Sequence, residues 1–201
     1  VAADEERSAR EGIVRYCALL WDRRLVTGTS GNVSVRLHGG GLLVTPSRKS
    51  LRELSADELV LTDAAGRSQD PSQHPTSELA LHLAAYRARP DARCVVHTHP
   101  TFCVVWSRTG RLFPQDTVGA RETLGPVGLA PYLPPGSVEL AESCAEIFSR
   151  GIDTVLMERH GLSTIGVDLE IAFVLTDLAE EAARVGYFAS LAGRATRDRD
   201  A

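Results

Sequence analysis

The sequence predicts a single α/β domain, residues 1–201, with one largely antiparallel or mixed sheet covered by helices. Three observations predict it. A chain of 201 residues, 43% hydrophobic and 24% charged, has the size and composition of one soluble domain or two small ones, and no linker, repeat or low-complexity tract divides it. Two apolar runs are joined by a Gly39-Gly40-Gly41 turn, a hairpin connection that makes antiparallel neighbours. Strands and helices then follow one another without the strict alternation that a doubly wound parallel sheet requires.

Asp4 to Val26 places Ile13, Val14, Cys17, Leu20, Trp21 and Leu25 at helical spacing, with acidic residues early and Arg23-Arg24 late. Thr27 to Asn32 is a Gly- and hydroxyl-rich loop before a strand over Val33–Leu37, and Leu42–Thr45 is its hairpin partner, ended by Pro46. Ser55 to Glu58 has the pattern of a capping box over a short turn, and Leu59–Thr62 reads as a strand turning at Asp63–Gly66. A polar loop, Arg67–Pro75, leads into a helix over Thr76–Arg89, carried by Leu79, Leu83 and Tyr86 and stopped by Pro90. Ala92–Thr98 is an apolar run ending in His97-Thr98-His99-Pro100, and a short helix covers Thr101–Ser107. Gly110 to Pro135, rich in Gly and Pro, receives no element. Ser137 caps a helix to Arg150 that Gly151 ends, Asp153–Glu158 is a strand leading to Arg159-His160-Gly161, and a last helix runs from Asp168 to about Ala192, with fraying after Gly193.

Composition excludes several classes of function. A net charge of −4 with mixed local signs lacks the excess of Lys and Arg that nucleic-acid binding leaves. No apolar run approaches the length of a membrane span, and Val1 to Glu11 is too charged for a secretory signal, so a cytoplasmic protein is expected. Cys17, Cys94, Cys103 and Cys144 are widely spaced among apolar neighbours and read as buried free thiols. Lys49 is the only lysine and stands in a polar run, without the apolar pocket that would prepare a Schiff-base lysine.

Chemistry concentrates in five short motifs. His97 and His99 stand at i and i+2, so on a strand both rings leave one face with Cα atoms about 6.5–7 Å apart, close enough to share one ion. His160, followed by Gly161, is the best third ligand for a site that needs about three protein donors and an open position. His38 lies in a Gly-rich turn and reads as a surface residue, whereas His74 and His82 compete for a site role, His82 one helical turn after Glu78. Glu78 is either a first-turn acid serving the helix dipole or a carboxylate beside the metal. Thr76-Ser77, the loop from Thr27 to Asn32, and Thr45-Pro46-Ser47-Arg48 supply hydroxyls and backbone N–H groups of the kind that cradle a phosphate.

In this order, Gly28-Thr29-Ser30-Gly31-Asn32-Val33-Ser34, Thr45-Pro46-Ser47, Thr76-Ser77-Glu78, His97-Thr98-His99 and His160-Gly161 resemble the class II aldolase/adducin family, over about Glu6 to Leu191. The resemblance implies a single α/β domain with a central, mostly antiparallel sheet flanked by helices, assembled as a homotetramer. It also implies zinc, or another divalent metal, held by His97, His99 and His160 with Glu78 as a resting ligand and catalytic acid/base. Its phosphate-binding positions fall on Gly31, Asn32, Ser47, Arg48, Thr76 and Ser77, with Thr29 close by.

The implied activity is cleavage of a phosphorylated sugar, a deoxyketose 1-phosphate such as L-fuculose 1-phosphate, into dihydroxyacetone phosphate and a short aldehyde. Two departures bear on it. The family's aldolases carry glycine where this chain has Arg48, a planar cation suited to phosphate or to a substrate carboxylate. The tyrosine that protonates the departing aldehyde falls near Val118, leaving Tyr132 or Tyr187 of a neighbouring subunit as replacements. A methylthioribulose-1-phosphate dehydratase and a sugar-acid phosphate decarboxylase are the alternatives within the superfamily. A pentulose-phosphate 4-epimerase is disfavoured, because that branch has aspartate where Glu78 stands, and a non-catalytic adducin-like binding domain need not keep the four metal-site residues.

Overall fold

Ile13, Cys17 and Leu20 recur at helical spacing and are wholly buried, so they set the inner face of helix α1 (Ala2–Asp22). The computed structural model describes residues 2–197. Helix α1 stops four residues before the expected Val26. Arg24 takes a left-handed conformation, φ 60°, and Leu25 N–H reaches back to the Leu20 carbonyl at 2.9 Å, closing the helix as a Schellman turn.

Among the described residues, seven strands form one sheet in the order β3-β2-β1-β4-β7-β6-β5. These are β1 (Asn32–Arg36), β2 (Leu42–Val44), β3 (Val60–Thr62), β4 (Cys94–Thr98), β5 (Val127–Ala130), β6 (Thr154–Met157) and β7 (Gly161–Gly166). Every adjacent pair is antiparallel except β5 with β6. The period-2 alternation divides the core. Val95, Val155, Met157 and Ile165 face helices α2 (Leu79–Ala88) and α4 (Val138–Ser149). Val33, Leu43 and Val96 face α1 on the other side, and Leu156 and Leu162 face α5 (Leu169–Arg197), which packs on α3 (Thr101–Ser107). All four cysteines are buried and unbridged.

Several boundaries differ from the sequence reading, each for a local reason. Helix α2 begins at Leu79, not Thr76, because Thr76 N–H is bound to the Thr45 carbonyl at 3.1 Å and Pro46 bridges Pro75, which holds this stretch extended. The region 110–135 is not featureless: it holds a π-helical turn, Ala120–Leu124, and strand β5. Strand β7 was not expected, because it is buried on both faces and lacks the alternation that marks a half-exposed strand. His160 therefore ends no strand; it sits in the tight β6–β7 turn with Arg159 at φ 57°. Helix α5 continues past the expected Ala192 to Arg197, and the rest of that tail lies outside the described residues.

Candidate metal centre and anion pocket

Strand register brings the motifs to one end of the sheet. Asn32 at the start of β1 pairs with His97 on β4, and His97 pairs with Ser163 on β7, one residue beyond the Gly161-Leu162 that follows His160. His97 shares its face with Val95 and so points toward α2, where Glu78 occupies the N-cap position. His99 lies one residue past β4, its N–H tied to the Leu25 carbonyl at 3.1 Å. Gly161 is required here by contact: a Cβ on it would lie 2.4 Å from the Thr98 carbonyl oxygen and 2.6 Å from His99 Cδ2.

The four side chains converge. One ligand atom from each of Glu78, His97, His99 and His160 lies within 4.8 Å of the others. Glu78 Oε2 stands 2.7 Å and His99 Nε2 3.0 Å from His97 Nε2, while His160 Nε2 is 3.4 Å from Glu78 Oε1. His97 Nδ1–H donates to the Leu162 carbonyl at 3.0 Å, which turns Nε2 toward the cluster and fixes the ring.

This donor set fits a divalent cation. With Nδ1–H committed to Leu162, Nε2 of a neutral His97 is an acceptor facing the Glu78 carboxylate at 2.7 Å, and Glu78 Oε1 is buried with no hydrogen bond. A cation satisfies all these lone pairs at once, and three imidazoles with one carboxylate are the donor types that suit zinc. The electrostatics agree. Burial, reinforced by the neighbouring imidazoles, lowers His99 to about 3 and His160 to about 4, so both rings are neutral at neutral pH, the form that could bind a metal. Burial raises the Glu78 carboxyl, but the adjoining His97 ring outweighs that, with His160 and Asn32 assisting, and holds it well below the usual carboxylate range.

A cavity of about 450 Å³ opens beside the cluster and is lined by Glu78, His99 and His160. Thr29, Gly31 and Asn32 form one wall, Ser47 and Arg48 a second, and Thr76 and Ser77 a third. The three loops expected to cradle an anion thus meet at one place. Gly31 is left-handed, φ 82°, and a Cβ there would strike Val26 Cγ1 at 2.5 Å, so only glycine lets this loop pack beneath the cavity. Of the N–H groups expected at Thr76-Ser77, that of Thr76 is already bound to Thr45, so Thr76 offers its hydroxyl. Arg48, exposed at the rim, takes the left-handed conformation, φ 60°, that favours glycine. Among the described residues it has no ion-pair partner.

The sequence pattern of the family described as Class II Aldolase and Adducin N-terminal domain matches residues 11–187. The chain belongs to this family. An L-fuculose phosphate aldolase of Methanococcus maripaludis is 33% identical to it, over 87% of this chain and 93% of that protein. A 3-oxo-tetronate 4-phosphate decarboxylase of Pectobacterium atrosepticum is 31% identical, over 90% of this chain and 84% of the relative. The crystal structure of YgbL from Klebsiella pneumoniae, offered as an aldolase, epimerase or decarboxylase, superposes with a TM-score of 0.84 at 30% identity, covering 91% of this chain and 90% of that one.

The remaining candidates of this class II aldolase family member sort by contact. His38 is a surface residue paired with Glu5. His74 lies outside the cavity, and its carbonyl accepts from Ser47 N–H at 3.0 Å. His82 is wholly buried and binds Asn32 and Ser34, behind the cavity. Val118 is 71% exposed, and within the chain Tyr132 lies under Arg159 and Tyr187 packs on Phe102 and Phe188, both away from the chain's own cavity. Sequence reasoning missed Pro135-Gly136, which closes the cavity near Ser77; the signal was the left-handed Gly136 in a Pro-Pro-Gly turn before helix α4. Lys49 is paired to Glu58 at 2.5 Å, and that hydrogen bond raises its pKa, so the one lysine is held as an ammonium.

Proposed function

We propose that this chain is a divalent-metal-dependent aldolase, zinc being the ion its ligands suit, that cleaves a ketose 1-phosphate of the L-fuculose 1-phosphate type into dihydroxyacetone phosphate and a short aldehyde. The observation that carries the reading is the convergence of His97, His99, His160 and Glu78 at the end of a cavity lined by three hydroxyl-rich loops. Membership of the family and the aldolase names of its relatives support the same reading. The cavity has the volume of a small-molecule site, and its polar walls suit a phosphate more than an apolar ligand.

His97, His99 and His160 would hold the cation through Nε2, with Glu78 as the exchangeable fourth ligand. Bound there, a divalent cation supplies Lewis acidity, polarising the substrate carbonyl and stabilising the charge left when the C3–C4 bond breaks. The chain's own residues do the rest. Thr29, Asn32, Ser47, Thr76 and Ser77 bind the phosphate, and the cation of Arg48 adds attraction at the rim. That anchoring places C3 and the C4 hydroxyl next to Glu78, whose Oε1, buried and without a hydrogen bond, takes the C4 hydroxyl proton as the C3–C4 bond breaks and delivers it to C3. A homotetramer belongs to the reading, supported by exposed Val185, Phe188 and Leu191 along α5. A cytoplasmic location belongs to it too, supported by four unbridged cysteines.

The experiment is Glu78→Gln. Dihydroxyacetone phosphate release falls by about 10²–10⁴ while bound zinc is retained on the three histidines, and undiminished release would overturn the acid/base role. One observation favours a second reading, decarboxylation of a phosphorylated sugar acid. Arg48 offers the rim an unpaired guanidinium that matches a carboxylate, and a decarboxylase is among the relatives.

A further inference from the structure

His82 is the buried titratable group that this mechanism leaves without a task. It is fully enclosed between α2 and β1, and both ring nitrogens are engaged: Nδ1 lies 2.7 Å from Ser34 Oγ, and Nε2 lies 2.6 Å from Asn32 Oδ1. Ser34 Oγ in turn is 2.8 Å from the hydroxyl of Tyr86, itself buried. Donor and acceptor arithmetic gives this chain one direction. An amide oxygen only accepts, so His82 carries its proton on Nε2 and donates it to Asn32. Nδ1 of a neutral ring is then an acceptor, so Ser34 O–H donates to it, and Tyr86 O–H donates to Ser34, whose Oγ at 2.8 Å and carbonyl at 3.0 Å share that proton. The reverse orientation of Asn32 would turn Oδ1 outward to the Glu78 carboxylate and the anion cavity, setting acceptor against acceptor.

The consequence lies at the cavity wall. With Oδ1 held inward, the Asn32 NH2 group is the part left to face the cavity that Asn32 lines. Resting on the phosphate reading above, we infer that His82 is a positioning residue: the Tyr86–Ser34–His82 chain locks the Asn32 amide so that it always presents donors, never its oxygen, to the substrate phosphate. The backbone alone does not do this, because β1 fixes the Asn32 main chain opposite His97 but leaves the amide plane free to rotate.

The test uses zinc-loaded protein and inorganic phosphate as the probe, titrated calorimetrically. His82→Leu, which fills the space without a donor, raises the phosphate Kd about 10- to 100-fold, the range for a hydrogen bond to a charged group, while zinc stoichiometry is unchanged. Ser34→Ala, a smaller change that removes the donor to Nδ1, moves the Kd in the same direction and covers the case in which His82→Leu does not fold. In an Asn32→Ala background the same two changes shift the Kd by less than about twofold, because the group they position is gone. Imidazole ¹⁵N spectra, assigned by the signal that His82→Leu removes, show His82 protonated at Nε2. Zinc and phosphate binding lost in parallel, or an Nδ1–H tautomer, would overturn the positioning role. Wild-type and variant proteins that bind phosphate equally overturn it while leaving the proposed function standing; a wild type that binds no phosphate removes the anion pocket and this role with it.

Discussion

Gly161→Ala adds one methyl group at the seam between β7 and the metal cluster, and its cost follows from contacts. The new Cβ would stand 2.4 Å from the Thr98 carbonyl oxygen and 2.6 Å from His99 Cδ2, against the 3.4 Å at which contact becomes ordinary. Gly161 has no positive φ, so the penalty is steric and not conformational. The Thr98 backbone yields little, because Thr98 pairs with Leu162 in the β4–β7 ladder. Turning the His99 ring by most of an ångström relieves only its own contact, so the Thr98 carbonyl and β7 must also part against the ladder. Overpacking of this kind costs about 1–3 kcal/mol of stability. A displaced ligand costs more at the metal: we expect zinc affinity to fall by about 10- to 100-fold, as when support for a ligating histidine is lost. Urea unfolding of the metal-free protein reads the first quantity, and competition with a chromophoric chelator reads the second. Zinc affinity within twofold of wild type, with an unchanged urea midpoint, would refute the reasoning, since the ring would then have had room that the contacts deny it.

Arg48→Gly should stabilise and impair at once. Removing a non-glycine residue from φ 60° gains about 1 kcal/mol in urea unfolding, while the KM for a phosphorylated substrate rises; unchanged KM and lower stability would contradict both halves. Acid should weaken the metal-free fold early. Burial, foremost, lowers His82 and His99 to about 3 and His160 to about 4, so below pH 6.5 the unfolded chain takes up protons that the folded one refuses. Stability is therefore full above about pH 6.5 and falls as pH drops toward those values, by about 2 kcal/mol at pH 5 from His82 alone. Urea midpoints at pH 7 and pH 5 check it, and equal midpoints would count against neutral, buried imidazoles.

How much of this was legible in the sequence depends on the kind of signal. The Gly39-Gly40-Gly41 hairpin, the short helix after His99 and the Ser137 cap, whose Oγ accepts from Leu140 N–H at 3.1 Å, were readable because turn and cap chemistry is local. Strands β5 and β7 were not, since a doubly buried strand carries no alternation and β5 follows a π-helical turn in a Gly-rich tract. The start of α2 was misjudged because a long-range bond, Thr76 N–H to Thr45, overrides helix propensity. The spacing of His97 and His99, with His160 before a glycine, is a weak signal by itself, and the order of the five motifs is what joined these three to Glu78. Only the sheet register brings β1, α2, β4 and the β6–β7 turn to one point. The role of His82 was illegible for the same reason: its partners, Ser34 and Asn32, are 48 and 50 residues away in the chain.

The most direct test of the central claim is metal content together with turnover. Purified protein is assayed for zinc by elemental analysis, and dihydroxyacetone phosphate release from L-fuculose 1-phosphate is followed before chelation, after it, and after zinc is returned. About one zinc per chain is expected, with release abolished by the chelator and restored by the metal. A chain that holds no divalent metal, or whose release is indifferent to chelation, would contradict it.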